Sequence, residues 1–87
     1  MIIVAIDETD INKSRSIIES LDNKKCMIKI GSVAFNSLGR DFIHYVANEN
    51  FDIFLDLKLH DIPNTVSKTI KGLNDLPIQM LTIHTSG

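Results

Sequence analysis

Four short apolar runs constrain the fold of this chain more than any other feature. They begin near residues 2, 27, 52 and 80, about 25 to 28 residues apart. That interval holds one strand, one helix and their loops. Repeated strand–helix units build parallel strands joined by right-handed crossovers. Strands that are apolar at nearly every position suit a parallel sheet covered by helices.

The runs between the strands carry helical spacing. Ile2–Ile6 reads as the first strand, with Asp10 as N-cap of a helix to about Leu21 that keeps Ile11, Ile17, Ile18 and Leu21 on one side. Met27–Ile30 is the second strand, closed by Gly31. Phe35, Leu38, Phe42, Tyr45 and Val46 recur at helical intervals broken by Gly39, which predicts a short turn and then a helix to about Asn48. Asp52–Leu57 is the third strand. Asn64 is an N-cap candidate for a third helix carrying Val66, Ile70 and Leu73, and Met80–His84 is the fourth strand.

Each strand places polar chemistry at its C-terminal end: Asp7, Lys29, Asp56 with Lys58, and His84. In a (β/α)8 barrel the active site is assembled at that end from several strands at once, and a whole barrel takes roughly 250 residues. Eighty-seven residues supply four strands and three helices. The expected fold class is therefore α/β, the N-terminal half of a TIM barrel, with residues 1–87 as a single partial domain. A free-standing, four-stranded flavodoxin-like sheet is the alternative, at the cost of unpaired edge strands.

Composition excludes several classes. The net charge of −2 gives no basic field for nucleic acid. No apolar stretch approaches the roughly 20 residues that span a bilayer. The N-terminus lacks the basic region of a signal peptide. A single cysteine, Cys26, fits a reducing cytoplasm and is expected to pack as a small buried hydrophobe.

The run Phe54-Leu-Asp-Leu-Lys-Leu-His-Asp-Ile-Pro-Asn-Thr65 carries the chemistry. Asp56 and Lys58 are two residues apart, so in a strand they share a face. Asp61 follows three residues later, beyond the strand. Two carboxylates around one ammonium suit the handling of a proton and an anionic substrate. The plainer readings are a structural ion pair for Asp56 and Lys58, a capping role for Asp7, a hydrogen-bonded core histidine for His84 and a helix-starting role for Asn64 and Thr65. His60, Asp61 and His84 lack a convincing metal-ligand spacing.

These residues resemble the bacterial type of orotidine 5′-monophosphate decarboxylase. All twelve positions of the long run match that family's signature. Ala5-Ile-Asp7, Lys29-Ile-Gly31 and Thr82-Ile-His-Thr-Ser-Gly87 match its shorter motifs in the same order. Ser32 stands where a larger apolar residue is common and Thr85 where Ala is usual; neither is expected to touch the charged set.

The resemblance implies a cofactor-free, metal-free decarboxylation of orotidine 5′-monophosphate to uridine 5′-monophosphate in a cytoplasmic homodimer. By position, Asp7 and Lys29 hold the ribose hydroxyls, Asp56 faces the substrate carboxylate and Lys58 donates the proton. Asp61 and Thr65 reach into the partner's site. In that family, late loops grip the phosphate and a loop past the midpoint reads the pyrimidine, and neither stretch occurs in these 87 residues. The piece alone is therefore expected to be weakly active or inactive. Two other readings compete: a metal-dependent sugar-phosphate lyase of the same superfamily, and a non-catalytic half-barrel whose edges favour assembly.

Overall fold

Four strands, all parallel, form one sheet in the order β1-β2-β3-β4: β1 (Ile2–Ile6), β2 (Cys26–Gly31), β3 (Ile53–Lys58) and β4 (Met80–His84). The structure is a computed structural model describing residues 1–58 and 72–84. The strictly sequential order decides between the two expected folds. A flavodoxin-like sheet reverses direction after its first strands, giving the order 2-1-3-4-5, whereas a barrel adds each strand beside the last. The chain follows the barrel course.

Two helices join the first three strands. Helix α1 (Ile11–Ser20) starts where the sequence predicts: the Asp10 carboxylate accepts the backbone N–H groups of Asn12 (2.8 Å) and Lys13 (3.3 Å). These donors have no partner inside the helix, so the cap satisfies what the first turn cannot. Helix α2 (Ser32–Asn48) is divided at Gly39, whose φ of 71° and ψ of −165° lie in a region that side chains strongly disfavour. The expected break falls there, although the residues before it are helical rather than a turn. After α2, Asn50 takes a φ of 66°, a left-handed stop that asparagine tolerates better than most residues. Leu73–Asp75 form a 3-10 turn ahead of β4. The predicted third helix starts at Asn64, outside the described residues.

Alternation along the strands separates two faces. Ile28, Ile30, Ile53, Leu55 and Leu57 are wholly buried and pack with Ile6, Ile18, Phe35, Phe42, Ile43 and Val46. This is the helix-covered face, and Cys26 is buried within the same core. On the other face the register aligns Ala5, Lys29, Phe54 and Met80 in one row, Gly31, Asp56 and Thr82 in the next, and Lys58 beside His84 in a third. Ile3 and Met80, on that face, are about half exposed. A closed barrel turns this face to its interior. Toward the strands' C-terminal ends its rows change from apolar to charged, which sets the position of the site.

Candidate active site

Asp56 is the hub of that charged end. Its Oδ2 lies 3.1 Å from Lys29 Nζ on β2. On β4, the Thr82 hydroxyl donates to Asp56 Oδ1 at 2.7 Å, and His84 Nε2 lies 3.0 Å from the same oxygen. The register explains this convergence. Thr82 is the direct lateral neighbour of Asp56, while Lys29 is diagonal to it on one side and His84 on the other. The Asp56 side chain is only 15 % exposed. The Thr82 hydrogen bond, with Lys29 and His84 adding to it, holds its carboxyl below the usual carboxylate range against the opposing pull of burial.

Asp7 follows the end of β1 and works on a neighbouring element. Its Oδ1 accepts the backbone N–H groups of Val33 (3.1 Å) and Ala34 (3.3 Å), in the first turn of α2. The residue at the N-cap position itself, Gly31, has no side chain with which to cap. A Cβ there would come within 2.5 Å of Asp7 Oδ1, so glycine leaves the space that the carboxylate fills. The capping role weighed for Asp7 is thus observed, directed at α2 rather than at its own loop. Among the described residues Oδ2 of Asp7 receives no hydrogen bond.

Asp7, Lys29, Asp56 and Lys58 line one cleft of about 200 Å³ together with Gly31, Ser32 and Val33. Four of the six residues singled out from the sequence therefore converge. The other two, Asp61 and Thr65, lie outside the described residues. Lys58 ends β3 and is exposed. Among the described residues its ammonium forms no ion pair, and the partners of Asp56 are Lys29 and His84.

Three further residues join the site in ways the sequence does not reveal. His84 is not a core histidine: its side chain is 61 % exposed at the C-terminal end of β4, where it meets Asp56. Thr82 enters the sequence argument only as part of a motif, yet the Thr-x-His spacing on β4 repeats the Asp-x-Lys spacing on β3; alternation puts each pair on one face of its strand, and the register puts both on the same face. Ser32 was expected to stand clear of the charged set, but its Oγ accepts the backbone N–H of Lys58 at 2.6 Å.

A sequential parallel half-barrel with a charged cleft at the C-terminal ends of its strands has the form of a barrel enzyme's catalytic face. The sequence model of the Orotidine 5′-phosphate decarboxylase / HUMPS family matches residues 1–87, and the chain belongs to that family. It is similar to the orotidine 5′-phosphate decarboxylase of Haemophilus ducreyi, 41 % identical over 86 residues. It is similar also to the enzymes of that name from Actinobacillus succinogenes and Pasteurella multocida, each 40 % identical over 86 residues. In each case the match takes in 99 % of this chain and 37 % of the relative. The chain thus spans little more than a third of the length of these curated relatives.

Proposed function

We propose that this chain supplies the charged half of a cofactor-free orotidine 5′-monophosphate decarboxylase, with Lys58 as proton donor. The observation that carries this reading is the convergence of Asp7, Lys29, Asp56 and Lys58 on one cleft at the ends of three adjacent strands. The bond between the pyrimidine ring and its carboxylate breaks, carbon dioxide leaves, and the electron pair stays on the ring carbon. The Lys58 ammonium stabilises that developing charge and then gives up a proton to the carbon. Asp56, held ionised by Thr82, Lys29 and His84, faces the substrate carboxylate. The second oxygen of Asp7 and the Lys29 ammonium suit the ribose hydroxyls.

The same reading assigns Asp61 and Thr65 to the partner's site in a cytoplasmic homodimer. Phosphate and pyrimidine are gripped by sequence outside these 87 residues. Binding energy at remote groups drives chemistry at the reacting centre, so the 87-residue piece alone turns over substrate poorly.

The test is a decarboxylation assay on the full-length gene product, with Lys58→Ala alongside and with a chelator added to a third sample. The reading expects turnover of orotidine 5′-monophosphate, indifference to the chelator, and a loss on the order of 10²-fold or more in the variant. Turnover of a sugar phosphate that stops on chelation would assign the chain to the metal-dependent lyases instead.

A further inference from the structure

The first turn of α2 is tied to strand ends on both sides. Asp7, after β1, holds it through Val33 and Ala34. Ser32, the first residue of the helix, holds the end of β3 through the backbone N–H of Lys58. The β2–β3 ladder has its last pair at Gly31 and Asp56. Beyond it β2 turns into α2 and no longer runs alongside Lys58 as a strand. The Ser32 hydroxyl stands in for the missing ladder acceptor and carries the pairing one position further. It is 6 % exposed and lines the same cleft as the Lys58 side chain. An apolar side chain at this position has no acceptor for this N–H.

We infer that Ser32 is a positioning residue for Lys58: its hydroxyl fixes the backbone from which the ammonium reaches over the cleft. The inference rests on the reading of Lys58 as proton donor. Ser32 touches no reacting atom. It acts because a shift of the Lys58 backbone moves the root of the side chain, and a misplacement of about 1 Å in a reacting group can cost about 10²-fold in rate. A tethered root also narrows the set of positions a flexible four-carbon side chain explores. The effect therefore falls on the chemical step and leaves substrate affinity alone.

Steady-state kinetics on the full-length gene product test this, using Ser32→Ala, Ser32→Thr and Lys58→Ala, with thermal melting of each. The expected result for Ser32→Ala is a fall in kcat of about tenfold with KM within twofold of the parent, because the loss is confined to the transition state. Ser32→Thr keeps an oxygen at the same place and returns kcat to within about threefold. Equal losses in the alanine and threonine variants, or a rise in KM with kcat unchanged, would overturn the inference by showing that Ser32 serves packing or binding. So would an unchanged kcat in Ser32→Ala beside an inactive Lys58→Ala, which leaves the proposed function standing. A fully active Lys58→Ala removes the function reading and the inference with it. Melting within a few degrees of the parent ties a lower kcat to position rather than to unfolding. If Ser32→Ala does not fold, Ser32→Thr decides: a kcat below a third of the parent's in a well-folded threonine variant overturns the inference.

Discussion

The Thr82 hydroxyl and the Asp56 carboxylate meet at 2.7 Å across the β3–β4 pair, and this bond is the largest influence lowering the Asp56 pKa. A carboxyl whose folded pKa is lowered adds stability at every pH above its unfolded value of about 4, and that stability is lost as pH falls through the folded value. Thr82→Val removes the donor and keeps the shape. It is expected to raise the Asp56 pKa and to cost on the order of 1 kcal/mol at neutral pH, since hydrogen bonds to charged groups stand at or above that level. The acid-induced loss of stability below pH 4 should shrink by a similar amount. Carboxyl NMR titration of Asp56 reads the shift directly. Lys29→Met should raise the same titration as well, because Lys29 lowers the Asp56 pKa through both its hydrogen bond and its charge, with the charge effect screened by solvent at a side chain 36 % exposed.

Asp56→Asn separates charge from hydrogen bonding at the hub. The amide oxygen still accepts from Thr82, but Lys29 loses its ion-pair partner and the contact of His84 loses the carboxylate charge. In the full-length protein this substitution is expected to lower kcat by about 10²-fold or more, while Thr82→Val, which leaves the charge in place, lowers it by less than tenfold. An Asn variant with undiminished kcat would show that the Asp56 charge plays no part in turnover.

Gly31 and Asp7 should behave as one unit in a double-mutant cycle. The Gly31 backbone, at φ −87° and ψ 176°, accommodates any residue. The cost of alanine there is therefore steric: its Cβ would meet the Asp7 carboxylate at 2.5 Å. Gly31→Ala is expected to push Asp7 off Val33 and Ala34 and to lose a helix cap, about 1 kcal/mol. Asp7→Ala alone should cost about the same. With the carboxylate gone, adding Gly31→Ala to it should cost almost nothing further, and the two changes would be strongly non-additive. Urea unfolding of the two single variants and the double variant measures the coupling, and simple additivity would refute the steric account.

The parts of the fold that rest on periodicity were legible in the sequence. The strands β1 and β4, the cap at Asp10 and the break at Gly39 follow from alternation, capping chemistry and glycine. At the site, Asp7, Lys29, Asp56 and Lys58 could be named because each is a charge at the end of an apolar strand. Their partners could not. That Asp56 pairs with His84 and Lys29 rather than with Lys58, two residues away, depends on the lateral register of three strands. That Asp7 caps α2 depends on the space left by Gly31. The role of Ser32 is hidden for a similar reason: a serine beginning a helix is ordinary, and only the geometry brings its oxygen to Lys58.

Gly39 offers the opposite test of a glycine. A Cβ there meets nothing within 4 Å, so sterics against neighbours contribute nothing. Its φ of 71° and ψ of −165° are nonetheless reserved almost entirely for glycine. Gly39→Ala is therefore expected to destabilise by about 1–3 kcal/mol through backbone strain alone. The substitution lies between Phe35 and Phe42, both buried, so relaxing the strain by straightening α2 would have to move one of them out of the core. Asp7→Ala should give no relief here, in contrast to its effect on Gly31→Ala, and the two changes should add within about 0.5 kcal/mol. Urea midpoints of the single and double variants decide the matter. A Gly39→Ala variant as stable as the parent would mean that the break in α2 is not imposed by that backbone conformation.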